Sequence, residues 1–356
     1  MNKILYKFNK VIKIVFFKNF ISRVEIAQML NMSRASITNI TKVLLNKKII
    51  NEIFSILDLE KTEQKSGKKR QYIKINENFR FVFGAAIELK SLNIGICNLK
   101  GETITQQTFN IESEDCVDNI LKIILDFFYR VLKENYINKK DILAMGICCE
   151  NDNFKHLTEY LKNHLKNELN IPIYSDNIKN GLALCEFLFL FNKYEPPEKN
   201  IFIFASKKIK TVTIEQFKIY EKYKLDYCNF EKIILFKEKN KTVTIQSYYK
   251  TLKEKLATAG KKKSDINALF EDFCRCFAIA IYNARQLFNV KNVVVYGELF
   301  ENATFNKYFK KAISKYTPKD IENICKHSKI LKTDIYLSAC AISISNAFLN
   351  LEYFEN

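Results

Sequence analysis

From residue 81 onward, short β-rich runs alternate with long amphipathic helical stretches, and this pattern restricts the possible architectures more than any other feature of the chain. FVFGAAIEL (81–89), LNIGICNL (92–99), GETITQQTFNI (101–111) and AMGICCE (144–150) read as strands, with a helical stretch over 117–133 before the last. PIYSD (172–176) leads into the helical NGLALCEFLFLF (180–191), and NIFIFAS (200–206) follows Pro196-Pro197 as another strand. VTIEQFKIYEKYKLDY (212–227) and EKIILFKEK (231–239) continue as strands. A long amphipathic helix over 265–289 then runs into the buried-strand pattern VKNVVVYG (290–297). Strands interleaved with long helices indicate an α/β architecture. With 356 residues, 47% of them hydrophobic, there is chain enough for two lobes with their own cores.

The first 80 residues follow a different pattern. Ile4, Leu5, Phe8, Val11, Ile12, Val15 and Phe16 recur at helical spacing and predict a first helix with one apolar face. Ser22 and Glu25 form a capping box for a second helix, to which Val24, Ile26, Ala27 and Leu30 supply apolar contacts. Asn31-Met32 makes a turn, Ser33 caps a third helix, and Ile37, Ile40 and Leu44 form its inward stripe. The outward face carries Arg34, Ala35, Ser36, Thr38, Asn39 and Lys42, short or donor-rich side chains of the kind that reach base edges in a major groove. An ordinary helical hairpin with a polar exposed side is the alternative. Residues 49–76 read as two extended stretches joined by a loop containing Lys68, Lys69 and Arg70, which suits a basic wing or a solvated loop.

The formal charge of +18 is concentrated at this end, where residues 1–80 carry 17 Lys/Arg against 6 Asp/Glu. A localised positive field draws polyanions by releasing their condensed counterions, so double-stranded DNA is the leading partner; a lysine-rich solvated surface is the bland alternative. Lysines at 3, 7, 10, 13 and 18 interrupt the opening apolar residues, and no run approaches the roughly 20 apolar residues of a membrane span. The expectation is a cytoplasmic protein, nucleoid-associated when on DNA, that does not act on membranes. The ten cysteines are scattered through a long chain and read as reduced, mostly buried thiols.

The order of these pieces resembles the ROK family of repressors, open reading frames and sugar kinases, and covers nearly the whole chain. SRVEIAQMLNMSRASITNITKVLL resembles the helix-turn-helix of the repressor branch, SGKKRQYIKIN its wing, and FGAAIELKSLNIGICNLKGETI its first β-hairpin. IYSDNIKNGLALCEF resembles its central helix, and FAIAIYNARQLFNVKNVVVYGELF its final helix and glycine-bearing strand. The likeness is greatest to the xylose and N-acetylglucosamine repressor subgroup. It implies an N-terminal winged helix-turn-helix over 1–80, followed by a two-lobed actin-like, ribonuclease H-like ROK domain. The lobes would span 81–190 and 191–337, with a C-terminal helix over 338–356 returning to the first and the second lobe serving dimerisation.

Departures from the family pattern carry equal weight. The kinase branch approaches ATP phosphates with Asp-x-Gly-Gly-Thr, because only glycine lets the backbone come that close. Here Ala86 takes the place of the Asp, Glu88-Leu89 of the glycine pair and Lys90 of the Thr. Aligned through Asn177, Asn180, Leu184 and Glu186, the position of the family's general base is Ile178, which has no proton acceptor. The sugar-holding Glu-x-Gly-His expected near 211–235 is missing, since the histidines are His156, His164 and His327. The zinc motif is reduced to Cys228, too few ligands for a tetrahedral site, and Cys148-Cys149 and Cys274-x-Cys276 read as small buried residues. The expectation is therefore a protein without catalytic residues, metal or cofactor. A retained polar set, Asn177, Asn180 and Glu186 with Gly297 and Glu298, either lines a ligand cleft for a sugar or sugar phosphate or caps and seals the lobes.

The expected function is a dimeric, sequence-specific DNA-binding regulator. Base contacts are assigned to Arg34, Ser36, Thr38 and Asn39, phosphate contacts to Lys42, Lys47 and Lys48, and wing contacts to Lys68, Lys69 and Arg70. A sugar-binding protein or kinase with a basic appendage and a protein-binding scaffold are the competing classes.

Overall fold

A computed structural model describes residues 3–53, 71–112, 117–150, 155–190, 199–206, 208–215, 224–226, 229–238, 241–258, 263–290, 292–319 and 325–350. The N-terminal elements are α1 (Lys3–Phe17), β1 (Ile21–Ser22), α2 (Arg23–Leu30), α3 (Arg34–Asn46), β2 (Ile50–Ile53) and β3 (Tyr72–Ile75). β3 lies between β1 and β2 in an antiparallel sheet, so the two expected strands gain a short third that precedes α2. Ser22 starts α2 through the capping box: its Oγ accepts from Glu25 N–H at 3.3 Å and Glu25 Oε2 accepts from Ser22 N–H at 2.8 Å. Asn31, in the left-handed region at φ 49°, ends α2 and turns the chain toward Ser33. Ile37, Ile40 and Leu44 are buried as their spacing requires, whereas Val24 lies on the exposed side of α2. Arg23 fastens the assembly by donating to Thr41 Oγ1 on α3 at 2.9 Å and pairing with Glu52 on β2.

The chain divides into two compact units, and the N-terminal helices and their small sheet belong with the first lobe. One unit holds 1–196, 218–222 and 330–356; the other holds 197–217 and 223–329. In the first, β4 (Phe81–Ile87), β5 (Ser91–Asn98), β6 (Thr103–Asn110), α4 (Val117–Glu134), β7 (Ile142–Cys149), α5 (Lys155–Leu169), β8 (Ile173–Asn177) and α6 (Ile178–Cys185) follow in order. The sheet runs β6-β5-β4-β7-β8, with antiparallel pairing among the first three strands and parallel pairing of β4, β7 and β8. Phe83, Ala85 and Ile87 enter one core with α4 and α5.

In the second unit the elements are β9 (Lys199–Ala205), β10 (Ile209–Glu215), β11 (Lys224–Asp226), β12 (Ile234–Glu238), β13 (Lys241–Thr244), α7 (Ile245–Thr258), α8 (Lys263–Phe288), β14 (Asn292–Tyr296), α9 (Glu298–Glu301), α10 (Ala303–Tyr316) and β15 (Cys325–His327). Its sheet, β11-β10-β9-β14-β15, repeats the order and the antiparallel-then-parallel pairing of the first, with the β12–β13 hairpin inserted. Phe270, Phe273, Phe277, Phe300, Phe305 and Phe309 pack a core among α8, α9 and α10.

The chain then returns to the first unit as α11 (Tyr336–Ser343), which continues as a π-helical turn, Ile344–Leu349. This helix begins before the expected 338, and 351–356 lie outside the described residues. α11 lies against the sheet face opposite α4 and α5, so both faces are covered and the strands read as unbroken apolar runs. The approach is so close that a Cβ on Gly146 of β7 would stand 1.9 Å from Ala339 O. Among the described residues no helix is long and apolar enough to cross a membrane.

Candidate nucleic-acid interface

α3 presents its outward face as the sequence pattern requires. Arg34, Thr38, Asn39, Lys42, Lys47 and Lys48 are exposed. Ser36 is half-buried and committed to the cap, its N–H donating to Ser33 Oγ at 3.2 Å and its hydroxyl lying 2.9 Å from Ser33 Oγ. Thr38 Oγ1 donates to Arg34 O at 2.8 Å, so this hydroxyl is engaged within the helix. Lys48 follows the helix end in the left-handed region at φ 58°. Ala35, Val43 and Asn46 are also exposed on α3; Val43 and Asn46 were not among the sequence candidates, although their helical spacing from Asn39 and Lys42 places them on the same side. Lys68, Lys69 and Arg70 lie outside the described residues.

α1 joins this head to the first lobe. Asn9 Nδ2 donates to Leu349 O at 2.8 Å, and Lys13 Nζ approaches Asn350 Oδ1 at 3.5 Å, so two polar groups of α1 meet the end of the C-terminal π turn, where helix carbonyls lack intrahelical partners. Phe16 is fully buried, with its ring centroid 6.3 Å from Phe348 and 5.4 Å from Phe17, and Phe17 in turn is 5.4 Å from Phe187. Lys100, in the β5–β6 turn, sits over the Phe16 ring at 4.2 Å and donates to Phe16 O. The docking surface therefore unites α1, the β5–β6 turn, the π turn Glu186–Leu190 that prolongs α6, and the C-terminal π turn.

The retained polar set divides by location. Asn177 Oδ1 accepts from Lys179 N–H at 2.9 Å and caps α6. Asp176 stands at the end of β8 rather than on a helix; its Oδ1 accepts from Asn177 N–H at 2.6 Å and from Asn180 Nδ2 at 2.8 Å. Ile178 is buried, and so are Asn180 and Glu186. In the second unit, Gly297 has φ 129° and a Cβ there would stand 1.9 Å from Ala205 O, which explains the glycine. Glu298 opens α9; burial, aided by the charge of Glu298, pushes the Tyr249 phenol up to about 12.

At the β4–β5 tip, Glu88 Oε2 accepts from Ser91 Oγ at 3.0 Å and from Asn93 Nδ2 at 3.3 Å. The carboxylate thus occupies two side-chain donors of β5 and puts a negative charge at this tip. Among the described residues no three His, Cys, Asp or Glu side chains are grouped to hold a metal ion. The described cysteines are free thiols, and burial raises the pKa of Cys148, Cys185 and Cys340 well above the usual thiol range.

No family model matches the chain. It is similar to a xylose repressor of Caldicellulosiruptor bescii and to a putative xylose repressor of another Caldicellulosiruptor strain, each 22% identical over 201 residues, covering 53% of this chain and 48% of the relative. The chain thus spans about half the length of the curated relatives it matches. Among solved structures, a ROK family transcriptional regulator, homolog of the E. coli MLC protein, superposes with a TM-score of 0.67 at 14% identity, over 98% of this chain and 100% of its own. A ROK family protein from Streptococcus pneumoniae in complex with sucrose and a ROK hexokinase from Thermus thermophilus each give a TM-score of 0.54 at 12% identity over 75% of this chain. The fold is therefore that of ROK proteins, shared by regulators and sugar kinases alike.

Proposed function

We propose that the chain is a sequence-specific, double-stranded-DNA-binding transcription regulator of the ROK repressor type. The observation that carries this reading is the exposed, donor-rich face of α3 in a three-helix head with a three-stranded sheet. Two further facts support it: the regulator structure covers 98% of this chain where the hexokinase covers 75%, and both curated relatives are named as repressors. Arg34 and Asn39 reach base edges, and Lys42, Lys47 and Lys48 hold phosphates. The Ser33–Ser36 bond and the Thr38–Arg34 bond leave Ser36 and Thr38 lesser parts than the sequence assigned them. Lys68, Lys69 and Arg70 form the wing contact in this reading. Two chains joined through their second lobes place two heads one helical turn, or a multiple, apart on an operator. The protein works in the cytoplasm.

The body carries no phosphoryl transfer in this reading. Laid on the kinase motifs, the sequence has Glu88 in place of a phosphate-loop glycine and Ile178 in place of the base. An ATP-consumption assay with a panel of hexoses tests this, and sugar-dependent turnover would refute it. Binding to operator DNA in preference to random duplex tests the regulator itself.

A second reading keeps a sugar or sugar phosphate as effector in the first lobe, favoured by the exposure that Asn177 and Asp176 retain at the start of α6. Thermal denaturation in the presence of sugars and sugar phosphates tests it; no shift with any of them counts against a carbohydrate effector.

A further inference from the structure

We infer that the body bears a second DNA-contacting surface, the turn between α4 and β7, where Lys133, Tyr136, Lys139 and Lys140 lie along the phosphate backbone beside the duplex gripped by the winged helix. The inference rests on the DNA-binding reading above.

Topology places the turn at the head's end of the lobe. β3 leaves the winged helix and enters β4 at Phe81, and Phe81 pairs with Ile142, the first residue of β7. The α4–β7 turn therefore opens at the edge of the sheet from which the head is carried. Arg80, in the segment joining head and lobe, reaches Asp141 with Nη1 to Oδ1 at 3.7 Å and fastens the turn to that segment. The β5–β6 turn that holds α1 through Lys100 lies at the same end, since Asn98 also pairs with Phe81.

Charge and exposure fit a polyanion. Lys133, Tyr136, Lys139 and Lys140 are all exposed. Of the two acidic residues in the stretch, Asp141 is paired with Arg80 and Glu134 alone is exposed. Tyr129, four residues before Lys133 on α4, is also exposed and adds a second aromatic side chain beside the lysines.

The conformation of Tyr136 is the third observation. Five non-glycine residues have positive φ among the described residues, and three of them, Asn31, Asn170 and Asn289, are asparagines that tolerate it. The other two are Lys48, the lysine after α3 already assigned to phosphate, and Tyr136 at φ 54°. Tyr136 follows the end of α4, where Ile137 N–H reaches back to Leu132 O at 3.0 Å, and glycine or asparagine would sit there with less strain. The residue is 94% exposed, so no burial offsets that geometry. A tyrosine held out between lysines is suited to duplex DNA, its ring against deoxyribose and its hydroxyl donating to a phosphate oxygen while the ammonium groups displace counterions.

The test uses the full chain and a duplex selected from a random-sequence library, prepared as the protected core alone and with two helical turns of flanking sequence on each side. With the flanked duplex, Lys139→Ala/Lys140→Ala should flatten the slope of log K against log salt by about 1.8, and weaken binding about 30-fold at roughly 0.15 M salt, since each phosphate contact contributes about 0.9 to the slope. On the core duplex the variant should match the wild type. Tyr136→Gly should melt no lower than the wild type yet bind the flanked duplex more weakly, which a purely structural role would not produce. Equal slopes for variant and wild type on the flanked duplex would overturn the inference while leaving the winged-helix reading in place. Wild-type protein that binds neither duplex would overturn both. Unchanged DNA binding together with lysine-dependent binding to phosphatidylserine vesicles would assign the surface to lipid instead.

Discussion

Replacing Phe16 by alanine separates two pictures of α1, as a part of a loosely tethered head or as a strut built into the lobe. The side chain is fully buried among Phe17, Phe348 and Lys100, and α1 also meets the C-terminal turn through Asn9 and Lys13. Truncating a buried phenylalanine costs about 3–5 kcal/mol through lost transfer energy and the cavity left behind. Lost cation–π attraction from Lys100 adds to this by about 0.5–2 kcal/mol. Because neighbouring groups relax into part of the space, a loss of about 4 kcal/mol is expected, a large share of the roughly 5–15 kcal/mol of a typical domain. Urea denaturation followed by far-UV circular dichroism gives the total. Amide exchange in β4 and β5 shows where it falls, and protection there should drop together with that of α3, because head and lobe share the contact. Phe20→Ala, at a position 41% exposed, should cost well under about 1 kcal/mol and serves as the control. A loss below about 1 kcal/mol for Phe16→Ala, or a loss of protection confined to the head, would refute the strut.

Arg34→Ala should lower affinity for a selected operator by about 1–3 kcal/mol while leaving random-duplex binding nearly intact; equal loss on both would remove Arg34 from base readout. Gly146→Ala forces a methyl to 1.9 Å from Ala339 O, a backbone atom with no rotamer to yield, so destabilisation at or above the upper end of the usual 1–3 kcal/mol for overpacking is expected by calorimetry. The thiols of Cys148, Cys185 and Cys340 should resist alkylation near pH 8 in the folded chain and react on unfolding, as mass spectrometry of labelled peptides would show. Burial raises their pKa in the folded state, so their contribution to stability is intact below the ordinary thiol range and is lost as pH climbs through and beyond it. Urea midpoints should accordingly fall on the alkaline side, and midpoints flat to high pH would contradict that burial.

The head was legible because its signals are local. The Ser22–Glu25 box, the Asn31 turn and the Ile37, Ile40 and Leu44 stripe each act within a few residues, and each is found where the pattern puts it. The alternation of strands and helices gave the layers, but α5, α7 and α10 were not read, although Phe305, Phe309, Ala312 and Ile313 of α10 recur at helical spacing and are buried. The docking of α1 could not be read in advance. Asn9 and Lys13 look like polar interruptions of an apolar face until the end of the C-terminal turn, more than 300 residues away, arrives to use them. The intrahelical bonds of Ser36 and Thr38 were hidden for a similar reason, since a hydroxyl on an outward face is also free to bond its own helix. The bond from Asn180 to Asp176 was not legible either, because β8 passes into α6 without a break and the register of the cap decides which carboxylate meets Asn180.

The most direct test of the central claim is the affinity of the full chain for a duplex selected from random sequence, against a scrambled duplex of the same length and composition, across a salt series. A regulator that reads bases through α3 should prefer the selected duplex by about a thousandfold or more near physiological salt. Equal affinities for the two duplexes that fall together as salt rises would mean attraction by charge alone, and would contradict the assignment.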